Sequence, residues 1–133
     1  DVAPILLFQL SFLWLLARRN PDVSRQTAAA ILGAFAAASW VGEASPHLNG
    51  SLSYAPAVFL GLGLGWYRHP VARLGADDIQ LGTIVLMLAL VFRSVDEAVC
   101  PGFPHGTHFA WHLLVPATLY LVVRALLKES RTT

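Results

Sequence analysis

Five apolar runs separated by short polar stretches divide the chain. The first, Val2 to Ala17, is apolar except for Gln9 and Ser11 and stops at Arg18-Arg19. Asn20-Pro21-Asp22 reads as a turn, and Ser24 as the cap of the next helix. The second run, Gln26 to Trp40, is dominated by alanine, and small residues let helix backbones approach closely in lipid. A polar turn from Glu43 to Ser51, containing Pro46, His47, Asn49 and Gly50, leads to the third run, Leu52 to Tyr67. There Gly61 and Gly65 make a small-xxx-small packing step with Gly63 between them. A phosphate-binding glycine loop would need a strand before it and a helix after it, and neither fits. Trp66 and Tyr67 mark a membrane interface. The fourth run, Ile79 to Phe92, follows Asp77-Asp78, which suits a helix N-terminus, and Arg93 closes it. The fifth, His108 to Leu127, ends in Lys128-Glu129-Ser130-Arg131 and carries Pro116, which removes the amide that would bond the carbonyl of His112 and predicts a kink there.

Runs of this length and period predict an all-α, polytopic transmembrane bundle of five spans forming a single domain over residues 1–133. Composition agrees. The 133 residues are 56% hydrophobic and only 13% charged, with mean hydropathy +0.58, against about 25% charged in a soluble domain. The net charge of +1 gives no reason to expect a nucleic-acid partner. One cysteine excludes an intrachain disulfide framework. The chain opens at Asp1 directly in an apolar run with no signal-peptide pattern, the expectation being a piece truncated at its N-terminus.

Charge sets an expected orientation. With five spans, the loops after the first and third helices share a side with the C-terminus. That side collects Arg18, Arg19, Arg25, Arg68, Arg73, Arg124, Lys128 and Arg131, leaving only Arg93 at the other end. By the positive-inside rule the C-terminus is cytoplasmic. The opposite face then gathers Asp1, Glu43, His47, Asp96, Glu97, Cys100, His105, His108 and His112. An alanine-, leucine- and arginine-rich, lysine-poor composition suggests a bacterial inner membrane.

The densest chemistry lies between Asp96 and Leu114. Pro101, Gly102, Pro104 and Gly106 make its first half a loop, and Thr107 is the expected cap of the last helix. His108 and His112, four apart, stack on one face of that helix near its start, a spacing at which two imidazoles can grip one metal ion. Two histidines on one face cannot sandwich a haem. The ordinary alternative is a pair of interface histidines satisfied by carbonyls and water. His105 reads as a loop or entrance residue, His47 and Glu43 as solvated, Trp111 as packing or interfacial, and Cys100 as a staple or packing residue. Asp96 either pairs with Arg93 at a helix end, the favoured reading, or joins the surroundings of a metal.

Arg93-x-x-Asp96-x-x-x-Cys100, followed by Gly106-Thr107-His108-Phe109-Ala110-Trp111-His112-Leu113-Leu114, resembles the C-terminal signature of the alkaline ceramidases. These belong to a superfamily of seven-helix membrane hydrolases that includes adiponectin-receptor-like proteins. Asp1-Val2-Ala3-Pro4-Ile5 resembles the start of that family's third helix. The resemblance implies that this chain is the last five helices of seven and a zinc-dependent amidohydrolase, with ceramide the family's substrate. It implies His108 and His112 as zinc ligands, and Asp1 as the acid beside the zinc-bound water. The third histidine, on a Ser-x-x-x-His element before Asp1, would come from missing N-terminal helices or a partner chain, as would a disulfide partner for Cys100. Partners are then membrane lipids and a ceramide-like lipid substrate. Two other expectations stand beside this one: a non-catalytic membrane subunit packing in a larger complex, and a receptor-like lipid-binding member.

Overall fold

The computed structural model describes residues 2–68 and 75–131. The described chain is all-helical, in the order α1 Val2–Arg19, α2 Arg25–Glu43, a 3₁₀ segment His47–Tyr54, α3 Ala55–Arg68, α4 Ala76–Val99 and α5 His108–Ser130. Three of these, α1, α4 and α5, are long and apolar enough to cross a membrane. At 1.5 Å per residue the 14 residues of α3 rise about 21 Å, short of the roughly 30 Å hydrocarbon core. The third apolar run is broken at its start, where Leu52–Tyr54 belong to the 3₁₀ segment rather than to α3.

The turn chemistry shows why helices begin and end where they do. The Asn20 side chain accepts from the amide of Asp22 at 3.0 Å, an Asx turn that ends α1. Ser24 caps α2 by accepting from the amide of Thr27 at 3.1 Å. Before α3, Leu48, Asn49 and Gly50 all adopt left-handed backbone, with φ of 55°, 52° and 73°. For Leu48 that conformation is unfavourable by roughly 1–2 kcal/mol. The reversal is held by Asn49 Nδ2 donating to the carbonyl of Arg93 at 3.1 Å, and by Ser53 Oγ donating to that of Gly50 at 2.8 Å.

Glycines position the helices. A Cβ at Gly61 would run into Thr83, and one at Gly65 into Gln80, so the small-residue step of α3 lies against α4. Gly63 faces open space. Gly82 of α4 sits 3.4 Å from the side chains of Leu121 and Val122, measured from the same notional Cβ. Gly75 meets the backbone of Ala125, so α4 and α5 form a close antiparallel hairpin. The buried acid Asp78 pairs there with Arg124 and, at 2.7 Å, with Lys128. Arg19, ending α1, reaches the carbonyl of Leu126 at 3.2 Å and Glu129 at 3.9 Å. Helices α1 and α5 therefore run the same way, which brings Val2 to the end of the bundle where His108 begins α5.

The core is Tyr54, Leu86, Ala89, Trp111 and Val115, with Ile5 and Leu114 packed against it. Around it Leu7, Trp40, Phe59, Trp66 and Leu113 are all more than 60% exposed. Large apolar side chains facing outward on every helix are what a lipid solvent selects. Trp66 and Tyr67 stand exposed at the end of α3, where interface anchors are expected. α5 runs on as helix through Pro116 to Ser130.

Candidate functional site

His108 and His112 lie at the start of α5, where the local structure is set by Asp96. Helix α4 does not stop at Phe92. It continues to Val99, which carries Asp96 up beside the first turn of α5. There one carboxylate oxygen accepts from the amides of Thr107 at 2.6 Å and of His108 at 2.8 Å. These are two of the donors that a helix start leaves unpaired. Asp96, eleven residues upstream, is thus the cap of α5. Thr107 occupies the cap position but makes no side-chain cap bond, its hydroxyl donating instead to the carbonyl of Phe92 at 2.6 Å. The expected Arg93–Asp96 pair is replaced by this capping. A negative charge at a helix N-terminus also meets the positive end of the helix dipole.

The loop between α4 and α5 is tightly wound. The amides of Gly102 and Phe103 both bond the carbonyl of Val99 at 3.0 Å, and Gly106 bonds that of Phe103 at 2.8 Å. Gly106 has φ of 59°, and a Cβ there would strike the Asp96 carboxylate and lie 3.1 Å from Cys100 Sγ. Only glycine lets the loop reach the cap in this conformation.

On this base, His108 and His112 stand together. Their ring centroids are 4.7 Å apart at 79°, with His108 half-buried and His112 exposed. The pairing anticipated from the four-residue spacing is present. Two adjacent imidazoles match the chemistry of zinc, which accepts neutral histidine nitrogens. Among the described residues no group of three or more His, Cys, Asp and Glu is arranged to hold a metal ion. Asp1 and His69 lie outside the described residues. His105 is exposed and packs edge-on against Phe103 at 5.9 Å, His47 and Glu43 are exposed, and Cys100 is a free, exposed thiol.

Beneath the histidines lies a feature that the sequence did not signal. Trp111, 1% exposed, packs against Tyr54, 2% exposed, with ring centroids 5.0 Å apart. The Arg93 guanidinium lies over both rings, 5.2 Å from Trp111 and 5.7 Å from Tyr54. Arg93 Nε is buried with no hydrogen-bond partner among the described residues. A lone arginine beside an acid four or fewer residues away reads as an ion pair, which hides this arrangement from sequence inspection. An apolar cavity of about 90 Å³ continues below, bordered by Ile5, Phe8, Phe12, Tyr54, Trp111 and Val115.

Comparison with known proteins brings no relative: no family model, no curated protein and no solved structure matches the chain.

Proposed function

We propose that the chain is the C-terminal five-helix part of a zinc-dependent membrane amidohydrolase of the alkaline ceramidase kind, acting on a ceramide-like lipid amide. The observation that carries the reading is the His108–His112 pair, held at the capped start of an apolar helix. In this reading His108 and His112 supply two of the zinc ligands, and a third comes from outside the described residues. When bound, zinc would supply Lewis acidity to polarise a carbonyl and render water nucleophilic near neutral pH.

The remaining roles belong to the chain itself. Asp96 fixes the first turn of α5, and with it the two imidazoles, by holding the His108 amide. Trp111 and Tyr54 close the bundle beneath the pair, which keeps water on the loop side. The apolar cavity next to Trp111 accepts part of a lipid chain while the amide stays at the level of the histidines. Asp1, which precedes Val2 in the sequence, is the carboxylate that takes up or orients a proton. The basic ends of α1 and α5 face the cytoplasm, in a bacterial inner membrane, so the reaction takes place at the opposite face.

The test is zinc content and amide hydrolysis of the purified protein together with the segment that precedes Asp1. Wild type is expected to hold one zinc per chain and to release fatty acid from an N-acyl amino alcohol, while His108→Ala and His112→Ala each lose both. Zinc retained in both variants would discard these ligands. Zinc bound without turnover of any lipid amide would discard the hydrolase.

A further inference from the structure

Between Val2 and Ala17, one polar side chain lies on the face of α1 that turns into the bundle. Leu13 and Ala17 are the buried residues of that helix, and Gln9 precedes Leu13 by one turn on the same face. Gln9 is half-buried and has no hydrogen-bond partner among the described residues. It stands midway along an apolar helix of 18 residues, at a depth where no water is at hand. A primary amide left unpaired there loses its hydration without compensation. Gln9 also borders the cleft between α1 and α2 with Ser39 and Tyr54, but their hydroxyls are buried and bond no described residue.

On its other side Gln9 borders the central apolar cavity, with Phe8, Phe12, Trp111, Val115 and Leu119. None of the residues lining that cavity is charged. Thr83 and Thr118 line it too, but their hydroxyls donate to carbonyls of their own helices, Ile79 at 2.8 Å and Leu114 at 3.2 Å. The Tyr54 hydroxyl is buried behind the wall. Gln9 therefore supplies the free donors, two N–H groups beside one carbonyl acceptor, on a surface that is otherwise hydrocarbon. That surface selects its occupant. An ordered water needs two to four polar partners, and Gln9 is one. An ion finds no opposite charge. The volume of about 90 Å³ is below the roughly 150 Å³ that holds a benzene ring, which excludes ring systems. What fits is a linear hydrocarbon segment with one uncharged hydrogen-bonding group at the level of Gln9.

That level follows from helix register. α1 and α5 run the same way, and Arg19 bonds the carbonyl of Leu126. Gln9, ten residues before Arg19, is then level with Pro116, ten before Leu126. This is one turn past His112, about 6 Å. Helical side chains lean toward the N-terminus, which returns the Gln9 amide toward the histidines. On α5, Leu119 of the cavity wall follows His108 by eleven residues, three turns on and nearly in line with it. A lipid amide held at His108 and His112 thus presents the first carbons of its acyl chain to Gln9.

We propose that Gln9 hydrogen-bonds a hydroxyl near the carboxyl end of the acyl chain, so that the protein selects 3-hydroxyacyl amides over plain acyl amides. The place of the hydroxyl along the chain rests on the hydrolase reading, whereas its pairing with Gln9 rests on the cavity. The rest of the tail leaves past the partly exposed Ile5, Phe8 and Val122 into the bilayer.

The probes are the ethanolamides of myristic acid and of the two enantiomers of 3-hydroxymyristic acid. They are titrated by calorimetry into the purified protein, with the segment that precedes Asp1, in detergent and carrying His108→Ala so that no turnover consumes them. One 3-hydroxy enantiomer is expected to bind about tenfold more tightly than the plain amide, the size of one hydrogen bond to a desolvated group. Adding Gln9→Met, which keeps the length of the side chain and removes its amide, should abolish that preference and leave the plain amide bound as before. In the ligand-free protein Gln9→Met should leave the thermal midpoint unchanged or raise it, since it removes an unpaired amide. Equal affinity for the plain and both hydroxylated amides overturns the proposal, as does a preference that survives Gln9→Met. A lower midpoint in ligand-free Gln9→Met also overturns it, because the amide would then be paired inside the protein or with the preceding segment. If wild type holds no zinc or cleaves no lipid amide, the hydrolase reading falls by itself, and the enantiomer preference with its loss in Gln9→Met still decides this one.

Discussion

Replacing Asp96 tests how the histidine site is held. Its carboxylate oxygen accepts from the amides of Thr107 and His108 at 2.6 and 2.8 Å, in or below the range of charge-assisted bonds. Asp96→Ala removes both acceptors and the charge. Loss of a cap typically destabilises by about 1 kcal/mol and at most about 2. Removing a negative charge from the positive end of a helix adds about 0.3–1 kcal/mol. The half-buried setting of both partners puts the sum near 2 kcal/mol, some thirtyfold in the folded population. Asp96→Asn keeps an acceptor at the same place and loses the charge, so its cost should be about 0.5–1 kcal/mol. The assay is reversible unfolding in mixed micelles of rising SDS fraction, followed by helical circular dichroism, with hydrogen exchange at the Thr107 and His108 amides as a local readout. Those two amides should exchange faster in Asp96→Ala while amides in the middle of α4 follow only the global change. The capping argument fails if Ala costs less than about 0.5 kcal/mol, or if Asn is as damaging as Ala.

Other substitutions probe the packing. Gly61→Ala should destabilise by about 1–3 kcal/mol by forcing a Cβ into Thr83, whereas Gly63→Ala, facing open space, should be neutral or slightly stabilising; equal midpoints in the same SDS titration would count against the α3–α4 contact. Asp78→Ala strands the Arg124 and Lys128 charges beside a buried position, but both partners are more than 40% exposed and rehydrate, so about 1–2 kcal/mol is expected rather than the 3–5 of a fully buried pair. Asp78→Asn should recover part of it, and no loss in either variant would show the cluster to be incidental. Gly106→Ala combines left-handed backbone with a collision on Asp96, so it should lower stability and speed exchange of the His108 amide together, and a change in one without the other would separate the loop from the cap.

Much of the architecture was legible in the order of residues. The five apolar runs became five α-helices, Ser24 capped α2 as its position indicated, and Gly61 and Gly65 packed while Gly63 did not. The reason is physical: in lipid a helix must satisfy its own backbone, so an apolar run of sufficient length has few alternatives. The histidine pair was legible for the same reason, since a four-residue spacing on a helix has only one geometric outcome. The start of α3 was less so. Leu52–Tyr54 look like a continuation of the apolar run, yet they fall in a 3₁₀ segment behind three left-handed residues, of which Asn49 bonds α4 through its side chain.

What periodicity alone determined, then, is the all-helical membrane bundle and the co-location of His108 with His112. The tertiary structure decided which neighbours those residues have. Asp96 looked like a partner for Arg93 because both sit at one helix end, but α4 runs on to Val99 and turns that carboxylate toward the unpaired amides of α5. Arg93 was thereby left for the faces of Tyr54 and Trp111, two aromatics 57 positions apart whose contact no local pattern encodes. Ser39 and Tyr54 likewise share a cleft only because α1, α2 and the 3₁₀ segment close around it. Spacing along one helix is a local property and can be read from the chain, whereas the partner of a capping carboxylate or a buried hydroxyl depends on how separate helices dock.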